Sequence, residues 1–250
     1  MPVTIKSNSE IALMREAGRL IEIVHDELAK MIAPGISTIE LDRVAQKMIS
    51  DFGCTPNFLN YNGYPASICA SINDEVVHGI PSKKKILHEG DIISIDTGLI
   101  YKGYHSDAAR TYGVGEIAQE ASELIEVTKQ SFFEGIKYAK AGNHLFEISA
   151  AIDAYASRFG YGVVRDLVGH GIGTKLHEEP QIPNFTQKRR GLRLEAGMTL
   201  AIEPMINAGR ADVAWLDDDW TVVSDDGSLS AHYENTVLIT DGEPEILTLI

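Results

Sequence analysis

The sequence predicts an α+β fold built from two related halves. A short motif occurs at residues 87–96 and again at 194–203, and each copy passes through glycine into an apolar run that ends on a carboxylate. The same offset of 107 residues relates glycines and helix-type patterns upstream of the two motifs. We therefore predict a single catalytic domain over residues 1–250, with an internal repeat of about 10–107 and 117–236.

Two helices are predicted in the first half. Ser7 and Glu10 have the spacing of a capping box, and apolar residues then recur with helical period until the Pro-Gly pair at 34–35. Ser37 begins a second helix in the same way, and this helix ends near the Phe-Gly pair at 52–53. The first half therefore reads as helix, tight glycine turn and helix, followed by strands.

The second half repeats this order. One helix is predicted from about Ser122 to Gly142 and another from about Leu145 to Gly160. β-rich runs bounded by turn residues predict strands at 67–72, 91–95, 111–114, 198–202 and 236–239. No Pro- or Ser-rich linker divides the chain, which favours one domain made of two halves.

Composition excludes several classes of protein. The formal net charge of −14 repels phosphate and so argues against a surface for nucleic acid or an anionic membrane. Cys54 and Cys69 lack metal-ligand spacing and are too few for a disulfide framework, which fits a reducing compartment. The first residues lack the apolar stretch of a signal peptide, and no run approaches the roughly 20 apolar residues of a membrane span. We expect a cytoplasmic protein.

Four acids stand at repeat-related positions. Asp96 and Glu203 end the two apolar strands, and each half adds a second acid in a His-x-acid pattern, Asp107 and Glu234. Solvated acids at strand ends are the plainer alternative. If the four converge, however, each pair about 4 Å apart repels by roughly 4 kcal/mol at an effective dielectric of 20. Two divalent ions cancel four charges, so the pattern predicts a two-metal centre.

Three histidines are candidates for the same centre. His170 lies between glycines that let the backbone approach a neighbour closely, so it is the predicted nitrogen ligand. One histidine with four carboxylates suits Mn²⁺, Fe²⁺ or Co²⁺ better than a thiolate-based structural zinc site. His78 and His177 lie in turn-rich segments, where a surface loop is the alternative, and are candidates to move protons or polarise a carbonyl.

The repeat fails at one place. Between Asp107 and Glu234 the offset rises to 127, so about 20 additional residues enter the second half. These residues include Trp215 and Trp220. An aromatic insertion beside a polar centre is a candidate wall of a substrate pocket.

Together these motifs resemble the methionine aminopeptidases of the short bacterial type I class, over nearly the whole chain. The resemblance is carried by Ser-Ile-Asp-Thr-Gly at 94–98, Tyr-His-Ser-Asp at 104–107, Gly-His-Gly-Ile-Gly at 169–173, His-Glu-Glu-Pro at 177–180, Ala-Ile-Glu-Pro at 201–204 and Glu-Asn-Thr-Val at 234–237. It implies the pita-bread fold, in which two pseudo-symmetric halves form a curved, mainly antiparallel β-sheet covered by helices on its outer face. Only 33 residues separate His170 from Glu203, which leaves no room for the helical insertion of type II enzymes, and no N-terminal extension is expected.

The resemblance also implies a site. The implied ligands of two divalent cations, whether Co²⁺, Mn²⁺, Fe²⁺ or Zn²⁺, are Asp96, Asp107, His170, Glu203 and Glu234, with Asp107 and Glu234 bridging. His78 and His177 are placed at the substrate. The implied pocket lining, an apolar slot with a sulfur that suits a thioether side chain, is Tyr61, Tyr64, Cys69, Leu176 and Trp220. Three positions depart from the frequent pattern: Phe58 replaces Cys, Leu176 replaces Phe and His232 replaces Gln.

The implied activity is hydrolytic removal of N-terminal methionine from peptides and nascent chains, preferentially before a small second residue. The hypothesis is that a water shared by the two metals becomes hydroxide and attacks the carbonyl of the terminal methionine. Glu203 would carry the proton, His177 would stabilise the oxyanion and His78 would assist at the scissile nitrogen. We expect a monomer, with ribosome contact left open.

Three alternatives remain at this point. A proline-directed peptidase of the same fold uses a similar acid and histidine set, although such enzymes usually carry a separate N-terminal domain. A non-catalytic binding protein of this fold would have lost its ligands, whereas all five are present here. A di-iron oxygen-activating protein places its acids on bundle helices, whereas these acids follow strands.

Overall fold

The computed structural model describes residues 3–249 and has an α+β architecture. In that range the helices are α1 (Asn8–Met31), α2 (Thr38–Asp51), α3 (Gln119–Ile136) and α4 (Leu145–Ala156). The strands are β1 (Thr55–Pro56), β2 (Ile68–Ile72), β3 (Glu75–Val77), β4 (Ile92–Tyr101), β5 (Tyr104–Gly113), β6 (Gly162–Val163), β7 (Gly169–Gly171), β8 (Glu178–Ile182), β9 (Thr199–Ile202), β10 (Met205–Asn207), β11 (Val213–Trp215), β12 (Val222–Ser224), β13 (Ser230–His232), β14 (Glu234–Leu238) and β15 (Glu245–Ile246). Met1, Pro2 and Ile250, which belong to the predicted domain, lie outside the described residues.

The four predicted helices are present. Ser7 caps α1 in a capping box with Glu10, as the spacing predicted. The prediction for α3 was wrong at its C-terminus, because the backbone N–H of Ala141 donates to the carbonyl of Thr240 at 3.0 Å and draws residues 140–141 into pairing with the end of the chain. None of the helices in residues 3–249 combines the length and apolar character needed to cross a membrane.

One large sheet carries both halves of the repeat. Its path is β1-β4-β5-β14-β9-β7-β8, with β2 on β4 and β15 on β14. The pairings of this sheet within the described residues are antiparallel. The order β2-β4-β5 of the first half is mirrored by β7-β9-β14 of the second, and the two meet where β5 pairs with β14. This arrangement agrees with the predicted pseudo-symmetry, although the division into repeat units stays a prediction.

β4 and β5 are longer than the sequence predicted. They form one hairpin of ten residue pairs, from Ile92↔Gly113 to Tyr101↔Tyr104. A two-residue turn joins them, and both of its residues, Lys102 and Gly103, have positive φ, which matches the twist of a tight hairpin. The predicted strands stopped at residue 95 and resumed at 111 because the sequence between them is rich in Gly, Asp, His and Ser, which are not typical strand formers.

The helices cover one face of the large sheet. α1 and α2 pack on the first half, where Ile95 lies in the same core cluster as Leu41. α3 and α4 pack on the second half, where Ile202 lies with Ile148. Because side chains alternate along a strand, the acid that follows each of these isoleucines faces away from the helices. The polar centre is therefore on the inner face of the sheet.

Candidate active site

The four acids converge from the two halves of the sheet. Asp96 is in β4, and Asp107 is in β5 opposite Gly98. A side chain at Gly98 would start 2.6 Å from the Asp107 carboxylate, so glycine leaves the space that this acid needs. Glu203 directly follows β9, and Glu234 begins β14, which pairs with both β5 and β9.

His170 joins the acids from β7, which is packed tightly between its neighbours. A Cβ at Gly169 would lie 2.4 Å from the carbonyl of Ala201, and one at Gly171 would lie 2.1 Å from the carbonyl of Glu179. The glycines therefore allow the close approach that the sequence indicated. The Nδ1 atom of His170 contacts the carbonyl of Gly171 at 2.9 Å, and its Nε2 lies 3.7 Å from Oε1 of Glu203.

The electrostatics of this cluster are those of a cation site. Buried oxygens of Asp96, Asp107 and Glu234 have no hydrogen-bond partner among the described residues. Burial raises the pKa of Asp96 to about 7 and that of Glu203 to about 8. Burial and the neighbouring acids hold the pKa values of Asp107 and Glu234 well above the usual range. Unpaired buried carboxylate oxygens are costly unless they are protonated or coordinated, so the residues present fit divalent cations.

Candidate ligand atoms are close enough to share ions. One atom each from Asp107, His170 and Glu234 lies within 4.8 Å of the others, and the same holds for Glu203, His232 and Glu234. Burial lowers the pKa of His170 to about 3, which keeps its imidazole neutral and able to ligate. The second group contains His232, whose ring the sequence did not place in the centre.

His177 is held beside the cluster by contacts on both sides. Its Nδ1 contacts the hydroxyl of Tyr61 at 2.7 Å, and its ring centroid is 4.3 Å from that of His170. Burial lowers its pKa below the usual range. The next residue, Glu178, forms a buried ion pair with Lys6 at 2.8 Å, which ties the N-terminal segment to the start of β8. No pattern in the sequence indicates this ion pair.

His78 approaches from the opposite wall in a strained backbone conformation. Its φ of 60° is uncommon for a residue other than glycine and is typical of functional positions. Its ring packs edge-on to Trp220 at a centroid distance of 6.3 Å, and Trp220 in turn packs edge-on to Tyr64 at 5.1 Å. Burial lowers the pKa of His78 to about 4, so the ring is neutral at physiological pH.

A cavity of about 220 Å³ opens onto the acids. Its lining contains the five predicted pocket residues, the two loop histidines and the five predicted ligands: Tyr61, Tyr64, Cys69, Leu176, Trp220, His78, His177, Asp96, Asp107, His170, Glu203 and Glu234. Phe58 and Asn62 complete the lining. The volume is below the range of about 300–1,000 Å³ typical of drug-sized ligands, so it suits a small group such as one side chain.

The insertion contributes to this pocket with only one of its two tryptophans. It forms the β11–β12 hairpin, and β12 pairs with β3 beside His78. Trp220 follows the hairpin turn and lines the cavity. Trp215 is 53% exposed and is not part of the lining, so Trp220 is the tryptophan through which the insertion forms part of the wall.

The fold and the site define a metallopeptidase. The model of metallopeptidase family M24 matches residues 12–241, and the chain belongs to this family. The chain is 54% identical over 247 residues to a methionine aminopeptidase of Clostridium acetobutylicum, with 99% of each chain covered. It is 42% identical to a methionine aminopeptidase of Thermotoga maritima whose crystal structure matches with a TM-score of 0.97, covering 100% of both chains. The predicted pita-bread fold is confirmed.

Proline-directed relatives are more distant. An Xaa-Pro dipeptidase of Bacillus anthracis is 26% identical, with a TM-score of 0.80, and the match covers 98% of this chain but 62% of that one. The similarity to methionine aminopeptidases is therefore both higher and complete in length.

Proposed function

We propose that this chain is a metal-dependent aminopeptidase that removes N-terminal methionine from peptides and nascent proteins, preferentially before a small second residue. The observation that carries the proposal is a buried cluster of four acids and His170 beside a small apolar pocket. The full-length similarity to methionine aminopeptidases supports the choice of substrate.

Two divalent cations would be held by the five predicted ligands, Asp96, Asp107, His170, Glu203 and Glu234. Such ions polarise a carbonyl and lower the pKa of water, so that a nucleophile is available near neutral pH. The protein supplies the rest of the site, and its unpaired carboxylate oxygens support this assignment.

Three side chains are proposed to act on the substrate. Glu203 accepts the proton of the attacking water and returns it to the leaving amine, since its carboxylate lies among the proposed ligands, 3.7 Å from the ring of His170, and lines the cavity. His177 donates a hydrogen bond to the developing oxyanion, because Tyr61 contacts its Nδ1 and leaves Nε2 for the pocket. His78 contacts the scissile nitrogen from the opposite wall.

The proposed methionine pocket is apolar and contains a sulfur atom. Cys69 and Leu176 are buried in one cluster with Phe58 and Tyr64, and Trp220 packs against this cluster. An unbranched thioether side chain gains dispersion and sulfur–aromatic contact in such a slot.

Trp220→Ala is expected to raise KM for Met-Ala-Ser by about tenfold or more with less change in kcat, because it removes binding contacts in an apolar pocket. Steady-state kinetics check this result. Trp215→Ala, in the same insertion but outside the pocket, is the matched control and should leave both constants unchanged. If Trp220→Ala and Trp215→Ala had the same KM, the proposal that Trp220 binds the methionine side chain would be contradicted.

The function itself is tested by metal removal and replacement. We expect chelator-treated protein to release no methionine from Met-Ala-Ser, and activity to return when Mn²⁺, Fe²⁺, Co²⁺ or Zn²⁺ is added separately. Ala-Pro-Ala serves as the substrate of the proline-directed alternative. Release from Ala-Pro-Ala but not from Met-Ala-Ser, or from neither with any ion, would contradict the proposal.

Further properties stay predictions. We propose a monomer that acts in the cytoplasm, on free peptides or on nascent chains at the ribosome. The site is proposed to hold two divalent cations per chain.

A further inference from the structure

His232 occupies an unusual place at the end of β13. Its side chain is 1% exposed, and it stands two residues before Glu234, which begins β14. Its Nε2 atom is 3.6 Å from Oε2 of Glu203 and 4.0 Å from Oε2 of Glu234. This nitrogen has no hydrogen-bond partner among the described residues. A buried ring nitrogen therefore points at two acids without bonding to either.

The two distances distinguish between hydrogen bonding and shared coordination. An N–H···O hydrogen bond spans about 2.7–3.2 Å, which is shorter than both separations. Two ligand atoms that are each about 2.1 Å from one ion lie up to about 4.2 Å apart. The separations of 3.6 and 4.0 Å fall within that limit. One ligand atom from each of the three residues lies within 4.8 Å of the others, which is compatible with a shared ion.

We propose that His232 is an additional nitrogen ligand of the metal centre, binding the same ion as Glu203 and Glu234. The inference rests on the proposed function, because it assumes that these acids hold metal. It goes beyond the ligand set that the resemblance implies, which contains only one histidine, His170. At position 232 the family frequently has glutamine, which is not among those ligands.

Backbone contacts on both sides hold His232 in place. The backbone N–H of His232 donates to Oγ1 of Thr111 at 2.9 Å, and the same hydroxyl donates to the carbonyl of His232 at 2.9 Å. Pairing with Met205 in β10 fixes the residue from the other side. The position from which the side chain starts is therefore set by the protein and not by an ion.

The first half of the repeat provides a contrast. His105 stands two residues before Asp107, as His232 stands before Glu234. Its Nδ1 contacts Oδ1 of Asn57 at 3.0 Å. Only the second-half histidine is directed at the acids, so the proposed centre has one nitrogen-rich side.

A second imidazole changes the preference for metals. Imidazole suits Co²⁺ and Zn²⁺, whereas Mn²⁺ is better served by carboxylate oxygens. His232→Gln should therefore weaken Co²⁺ binding more than Mn²⁺ binding. If His232 had only a structural role, the substitution would weaken the binding of Co²⁺ and of Mn²⁺ to the same extent.

The test is to titrate metal-free protein with Co²⁺ and, separately, with Mn²⁺, and to measure each Kd by isothermal titration calorimetry. In His232→Gln we expect the Kd for Co²⁺ to rise by about tenfold or more, with a clearly smaller change for Mn²⁺. His105→Gln is the matched control and should bind both ions as the unmodified protein does. Equal losses for the two ions, or no loss, would overturn the inference.

A second measurement needs no variant. In the Co²⁺-loaded protein, ligating imidazoles give strongly shifted, exchangeable N–H resonances in proton NMR, and we expect two of them, from His170 and His232. One such resonance would overturn the inference. Methionine release by the unmodified protein, measured in parallel, reports on the proposed function separately, because it can succeed whether or not His232 ligates.

Discussion

Replacing Glu203 with Gln is expected to lower kcat for Met-Ala-Ser by about 10²–10⁴-fold, because the amide can neither accept nor return the proton. The side chain lies between His170 and His232, with one of its oxygens within 3.7 Å of the first ring and the other within 3.6 Å of the second. Kinetics must be measured together with metal content, since Gln also weakens a proposed ligand.

Glu195→Gln is the control for this variant. Glu195 precedes Glu203 in the same segment, is exposed, and should tolerate the change without loss of turnover. Near-native turnover by Glu203→Gln with metal bound would contradict the proton-transfer role. His177→Ala with metal bound and undiminished kcat would likewise contradict its oxyanion role.

Removal of metal is expected to make stability fall as pH rises above about 7. Burial raises the pKa of Asp96 from 3.8 to about 7 and that of Glu203 from 4.5 to about 8 in the folded protein. These acids therefore keep protons when folded that they release when unfolded. Their favourable contribution is complete below about pH 4 and is lost as pH rises through about 7–8.

This loss should be visible in thermal unfolding. Above pH 7 the buried histidines His170 and His232 are neutral in the folded and the unfolded protein, so the acids alone decide the pH dependence. With chelator present we expect Tm to be about 5 °C lower at pH 9 than at pH 7, and added Mn²⁺ should restore more stability at pH 9 than at pH 7. Asp96→Asn should flatten the pH dependence of the metal-free protein, because it removes one of the responsible groups. A metal-free Tm that rises between pH 7 and pH 9 would contradict the expected protonation of the cluster.

The fold was largely predictable because the repeat consists of residues with strong preferences for helix caps, turns or strands. Capping boxes, glycine turns and apolar runs predicted the helices α1 to α4 and the two strands of the repeated motif, β4 and β9. The C-terminus of α3 was not predictable, since a long-range contact between Ala141 and Thr240 decides it. The full length of the β4–β5 hairpin was also hidden, because register rather than propensity brings Gly98 opposite Asp107.

The site was predictable where chemistry repeats and hidden where orientation decides. The four acids and His170 could be recognised from the sequence because acids at repeat-related positions are hard to explain by a structural role alone. Nothing in the His-x-acid pattern distinguishes His105 from His232, yet one ring contacts Asn57 and the other faces the acids. The burial of Lys6 depends on Glu178, which is 172 residues away in sequence.

The mirrored arrangement of the sheet has a consequence for how the molecule comes apart. β5 and β14 meet through two residue pairs, and Asp107 and Glu234 stand on either side of that short junction. An ion bound by both acids is a cross-link between chain segments that are far apart in sequence. Escape of metal and opening of the junction should therefore be one event, so that slow metal exchange and slow amide exchange near Ala108 rise and fall together.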